Sequence, residues 1–293
     1  MAPADSARWQ VPVALAIVYV VWGSTYFAIR VALQGGFTPF VMAGVRFLVA
    51  GGLLFALARL RGEPIPTRVQ WINAAKMGLL LLVCGNGLVV TAEQWVASGL
   101  TAVLIASVTL WSTLFEGLLG TWPNRRQWLG LAVGLSGIVL LNVNAELRGS
   151  ALGVGLLLFS AAAWAFGSVW SRKWDLPKGA MASAAEMLTG GAVLATLAFL
   201  HGERLPAAPS QASVLAVLYL ILFGSIVAFS AYLVLIRRAS SAVSTSYAYV
   251  NPAVAVLLGV TFGAEQISPL TFAALGVILS GVVLVAMAPK SSR

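Results

Sequence analysis

The chain has 293 residues, of which 60% are hydrophobic and only 9% charged, with a net charge of +9 and a mean hydropathy of +0.93. Soluble domains carry about 25% charged residues, so an aqueous fold of this size is excluded and the chain is read as an integral membrane protein. One cysteine (Cys84) and one histidine (His201) exclude a disulfide framework and any ordinary metal site, and neither a cofactor nor a nucleic-acid partner is expected.

Taken in chain order, runs of about 20 apolar residues give ten spans. The first five are near 11–29, 40–58, 72–92, 98–119 and 127–143; the second five are near 151–171, 179–200, 214–236, 240–262 and 270–288. The first span is expected to be retained, because its apolar run is long and no small-residue cleavage site follows it. Connections such as "EQWVA" (93–97) and "RRAS" (237–240) are short enough to demand helical hairpins. With the N-terminus inside, fourteen Lys and Arg fall on the cytoplasmic side. Only Arg30, Arg148 and Arg204 fall outside, and Arg46 lies within a span. That bias places both termini in the cytoplasm and accounts for the basic balance. Fourteen Arg against four Lys, with much Ala and Gly, suggest a GC-rich bacterial source and hence an inner-membrane location.

The spans repeat. Trp22 is followed eight residues on by Arg30, and Trp164 by Arg172, at an offset of 142. The same offset aligns 97–117 with 239–259, with identities at Ala97, Ser98, Ala106, Val108 and Gly117; "LSGIVLL" (135–141) meets "LSGVVLV" (279–285) at 144. Three ordered matches at nearly one offset indicate a duplicated five-helix unit. An odd number of spans turns the second copy upside down, a geometry that recurs in transporters. The expected fold is therefore all-α: ten transmembrane helices in two inverted five-helix repeats, residues 1–147 and 148–293.

Several pieces of the sequence resemble one family. "WGSTYFAIR" (22–30), "GVRFLVAG" (44–51), "YVNPAVAVLLG" (249–259), "GAEQ" (263–266) and "ALGVILSGVVLV" (274–285) are similar to the EamA-type drug/metabolite transporters, across nearly the whole chain. The resemblance implies ten helices in two inverted bundles and export of small metabolites, with amino acids, drugs or other compounds as cargo. The halves differ where a cavity is expected: "TLW" (109–111) stands against "NPA" (251–253).

Candidate cargo-binding residues follow from depth and helical register. Trp22 and Tyr26 share a face, as do Trp164 and Ser168. Trp22 is about 16 Å into its span at 1.5 Å per residue, whereas belt residues such as Trp71, Trp95 and Trp128 sit at span ends. Asn86 and Asn251 add amides, and Trp111 and Tyr249 add aromatic surface. As cavity residues, Trp22 and Trp164 are expected to pack little in the empty carrier. Arg30 and Arg172 close their helices at opposite faces, as cations at helix C-termini or as anion-attracting residues at the two mouths. Arg46, Glu116 and Glu186 are the ionisable residues within spans, each near enough to a face for snorkelling or pairing to keep it near water. Glu116 or Glu186 could couple transport to protons; facilitated diffusion is the other option.

An enzyme would need a nucleophile–base pair or metal ligands, and neither is present; a channel needs a continuous polar path, for which the mid-span polar groups are sparse, and stays the lesser alternative to a carrier. With no fixed charge at midplane, the cavity suits a neutral or zwitterionic cargo with apolar bulk; of the cargoes that the family resemblance implies, aromatic amino acids fit this best. Threonine, homoserine and lipophilic cations are the alternatives. The expected partners are this small molecule and the bilayer, for a carrier working as a monomer.

Overall fold

In the computed structural model, residues 4–95, 101, 104–142, 151–263 and 269–287 are described. The expectations for Ala97, Ser98, Arg148, residues 264–266 of "GAEQ", the cytoplasmic cations at 290 and 293, and the junction at 147/148 lie outside them. Ten helices carry the described chain: α1 (Ala4–Gln34), α2 (Pro39–Leu60), α3 (Arg68–Ala92), α4 (Leu104–Leu118), α5 (Arg125–Asn142), α6 (Ala151–Trp170), α7 (Gly179–Leu200), α8 (Gln211–Arg238), α9 (Tyr247–Gly263) and α10 (Pro269–Ala286). The protein is an all-helical membrane protein. Six helices (α1, α2, α3, α6, α7 and α8) are long and apolar enough to cross a bilayer, and α4 and a stretch of α10 are shorter apolar helices. Helix α1 runs past both expected ends of its span, because hydropathy marks the lipid-facing length while the hydrogen-bonded ladder continues into water.

Loop residues fix how the helices meet. Gly62 and Gly202 follow α2 and α7 with φ of 77° and 70°, a left-handed conformation that glycine adopts without Cβ strain. Each is followed by a glutamate that caps a helix of the other half of the chain. Glu63 Oε2 accepts from Met181 N at 3.0 Å, at the start of α7. Glu203 Oε2 accepts from Val41 N at 2.9 Å, at the start of α2. A carboxylate at a helix N-terminus satisfies an orphan donor and complements the dipole, worth about 0.3–1 kcal/mol each.

Two of the close helix contacts are antiparallel and glycine-lined. A methyl at Gly44 would stand 3.1 Å from Ala195 N, and one at Gly51 would stand 2.9 Å from Leu188 N, so α2 and α7 touch backbone to backbone. In α5 and α10, a methyl at Gly137 would meet Ile278 N at 2.8 Å, and one at Gly281 would meet Gly134 N at 2.5 Å. Small residues allow this approach, which in lipid supplies the packing energy that the hydrophobic effect does not.

Helices α3 and α8 share a further feature. Both contain a π-helical stretch, Gly78–Gly87 and Leu220–Val227. Their starts are separated by 142 residues, the offset that relates Trp22 to Trp164. Wide turns of this kind mark functional sites in helices.

Gly281→Leu is expected to force α5 and α10 apart and to destabilise the protein by about 1–3 kcal/mol, read as a lowered melting temperature in detergent. Gly276→Ala, on the same helix with open space beside it, serves as the control and melts like the parent. Equal melting of both variants would show that the glycine contact is not a constraint.

Candidate functional site

A cavity of about 70 Å³ lies between the helices, walled by α1, α2, α3 and α4 on one side and α6 and α9 on the other. Of the eight residues expected to bind cargo, Trp22, Tyr26, Asn86, Trp164 and Asn251 line it. Three do not. Tyr249 is two residues from Asn251, which on a helix sends it to another side. Its ring packs on Gly134 and its hydroxyl bonds Thr109. Ser168 lies one turn beyond Trp164, bonded to Trp164 O at 2.7 Å and to the Tyr232 hydroxyl at 2.8 Å. Trp111 stacks on Phe115 with centroids 6.1 Å apart, one turn past the lining residue Val108. Tyr247, which sequence reasoning missed, lines the cavity in place of Tyr249. Its i, i+4 relation to Asn251 was the signal that could have found it.

The back of the cavity is a cluster of rings. Trp22 meets Trp164 edge-on at 5.5 Å, Tyr247 at 4.9 Å, Tyr232 at 5.0 Å and Phe229 at 5.8 Å. Each such pair is worth about 0.5–1.5 kcal/mol beyond its buried area. Trp22 is only 7% exposed, so the expectation that it packs little is overturned: its outer edge faces the cavity and the rest of the indole is core. Its Nε1 donates to Gly224 O at 3.1 Å, and Trp164 Nε1 donates to the Tyr232 hydroxyl at 2.8 Å.

The π-helical stretches supply two backbone acceptors around the cavity. Gly224 lies in the stretch of α8, where departure from the α-helical ladder offers its carbonyl to the Trp22 indole. In α3, Gly85 O accepts from Ser160 Oγ at 2.7 Å. Both Gly85 and Ser160 line the cavity.

The sequence misjudged Arg46. Expected to reach water and leave the cavity without a fixed charge, it lines the cavity at 2% exposure, so the expectation of an uncharged cavity is overturned. Its Nε donates to Ser225 Oγ at 2.7 Å, again in the π-helical stretch of α8, and its Nη1 has no hydrogen-bond partner. A neighbouring helix covers the short path to water that snorkelling requires. Glu186 is also buried, at 2% exposure, rather than reaching a face. Its Oε1 has no partner.

Away from the cavity, the ends of α4 and α6 are pinned together. Arg172 Nη1 donates to Glu116 Oε1 at 2.8 Å, Arg172 Nη2 to Ala239 O at 2.9 Å, and Ser241 N to Glu116 Oε1 at 3.3 Å. Arg172 is therefore engaged in holding helices together, whereas Arg30 is exposed.

Comparison with known proteins places this architecture. The EamA-like transporter family matches residues 11–143 and again 151–287. The chain belongs to the EamA-like transporter family. It is 50% identical over 94% of its length to an Escherichia coli protein described as an uncharacterized inner membrane transporter, YedA, of which it covers 90%. It is 26% identical to the protein PecM of Dickeya dadantii, over 90% of this chain and 88% of that one. A solved crystal structure superposes with a TM-score of 0.79 at 21% identity, over 94% of this chain and 96% of that chain, which shows the shared fold. This EamA-family member is a multi-pass inner-membrane transporter and not an enzyme. As a transporter it implies a small-molecule substrate.

Trp22→Ala is expected to cost about 3–5 kcal/mol of stability, the range for an aromatic residue truncated in a core, and to lower both the melting temperature and the level of folded protein. Trp164→Ala, at a half-buried position, is expected to be milder in both readings. Wild-type melting of Trp22→Ala would show that the ring cluster does not hold the helices.

Proposed function

We propose that this protein exports aromatic or other apolar amino acids by alternating access, with residues 1–147 and 148–293 acting as two inverted five-helix repeats. The observation that carries this reading is a cavity lined from both halves, by Trp22, Tyr26 and Asn86 from the first and by Trp164, Tyr247 and Asn251 from the second. Rings give such a wall apolar area, and a few amides fix orientation, the usual make-up of a small-molecule site.

Reciprocity in the packing supports the inverted relation. The contact pairs Gly44–Ala195 and Gly51–Leu188 exchange under an offset of 144, and so do Gly137–Ile278 and Gly281–Gly134 within α5 and α10. The glutamate caps exchange under an offset of 140. Contacts that map onto themselves are what a two-fold axis between the halves produces, and that axis lies in the membrane plane when antiparallel helices are its partners. The charge bias orients the carrier with both termini in the cytoplasm.

Two measurements test the reading. In proteoliposomes, uptake should saturate and show counterflow; Phe, Tyr and Trp should compete with one another, while Asp and Glu should not. Equal inhibition by acidic amino acids contradicts the cargo class, and threonine, homoserine or a lipophilic cation carried in preference to all three would replace it. Reporter fusions after Arg61 and Arg238 are expected to read as cytoplasmic and one after Gly202 as external. One reversed result would sink the orientation.

A further inference from the structure

We propose that Arg46 is the carboxylate-binding residue of the cavity, and that Asn86 and Asn251 accept the ammonium group of the same cargo, so that the site selects a zwitterionic α-amino acid. This rests on the amino-acid reading above and adds how the charged end of the cargo is held.

Three observations converge. Arg46 is 2% exposed on the cavity wall, and its Nη1 has no partner. A guanidinium is charged at any physiological pH, and a buried charge without a counter-ion is costly unless something pairs with it. Among the described residues no carboxylate does so; Glu93, on the Tyr26 side, also leaves Oε1 without a partner. The missing anion is therefore supplied by what enters the cavity. A guanidinium fork meets a carboxylate with paired hydrogen bonds.

Acceptors on the same cavity point to the other half of the zwitterion. Asn86 Oδ1 and Asn251 Oδ1 are buried and unpartnered, and both residues line the cavity. An ammonium has three N–H donors and no acceptor, so amide oxygens suit it and a second arginine would not.

The geometry also explains how Arg46 is held ready. Its Nε is tied to Ser225 Oγ and its guanidinium carbon lies 4.8 Å from the Phe47 ring centroid. A methyl at Gly224 would come within 3.0 Å of Arg46 Nη2, so the glycine leaves the space in which the guanidinium lies. Arg46 pairs with the cargo carboxylate, and the cargo ammonium is left to the amide oxygens of Asn86 and Asn251. Asp and Glu would bring a second carboxylate with no second cation on the lining. Lipophilic cations would face Arg46 with like charge.

The test compares ligands that differ by one charge on the wild-type carrier reconstituted in proteoliposomes. Phenylalanine should compete with labelled phenylalanine at least ten-fold better than phenylalaninamide, which lacks the carboxylate, and better than 3-phenylpropionate, which lacks the ammonium. In Arg46→Gln the advantage of phenylalanine over phenylalaninamide should disappear; Arg46→Lys should keep part of it. If the wild-type advantage is absent, or persists undiminished in Arg46→Gln, the proposal is overturned. Should Arg46→Gln fail to fold, the wild-type ligand comparison and Arg46→Lys still decide. Should the wild type carry no aromatic amino acid, the cargo reading fails by itself. The role of Arg46 is then read from thermal protection of the purified carrier: protection by 3-phenylpropionate but not by its amide supports it, and protection by neither overturns it.

Discussion

The bond from the Trp22 indole to the Gly224 carbonyl sets the shape of everything around the cavity. Inside a bilayer no water is available to satisfy a backbone group, so a helix that departs from its α-helical ladder must find partners in its neighbours. The π-helical stretch of α8 finds one in Trp22. Its next residue, Ser225, receives Arg46. One irregular turn therefore positions a large ring and a buried cation from two different helices. In α3 the corresponding stretch takes a hydroxyl from Ser160. Gly85 and Asn86 line the cavity from the π-helical stretch of α3, while Gly224 and Ser225 in the stretch of α8 hold the lining residues Trp22 and Arg46.

Rigid seams and a pinned end surround this centre. Glycines bring α2 against α7 and α5 against α10 with no side chain between, which favours each pair moving as a body rather than bending. The Glu116–Arg172 pair with its backbone bonds ties one end of α4 to α6 and to the start of the last helical hairpin. At the offset of 142 the counterpart of Arg172 is Arg30, which is exposed, and the counterpart of Glu116 is Leu258. The two ends of the carrier are thus unequal in chemistry although they are alike in backbone plan. An ion pair with 15% and 30% exposed partners is partly solvated, so it is a contact that can open without a large desolvation cost.

Much of the fold was legible in the sequence, because lipid demands long apolar helices and hydropathy records that demand directly. Ten helices and the 142-residue offset between Trp22 and Trp164 could be read without coordinates. The reciprocal caps of Glu63 and Glu203 could have been read too, from the Gly-Glu steps at 62–63 and 202–203, but two residues among loops of mixed composition carry little signal. Side-chain direction was the harder part. Tyr249 and Tyr247 differ in helical phase alone, and the i, i+4 relation to Asn251 turns Tyr247 toward the cavity. Distance from a span end says little about Arg46, because a cation escapes to water only if no neighbour covers it, and α8 does. The π-helical stretches left no periodic mark at all, since apolar residues surround them on every side.

The alternating access proposed above requires the end pinned by Glu116 and Arg172 to open when cargo passes. That requirement is tested most directly by placing cysteines at positions 116 and 172 in a Cys84→Ala background and joining them with a short, cleavable, bifunctional thiol reagent. The account predicts that joining the pair stops flux while binding of phenylalanine to the purified carrier persists, and that cleaving the link restores flux. Flux that continues unchanged with the pair joined would contradict it.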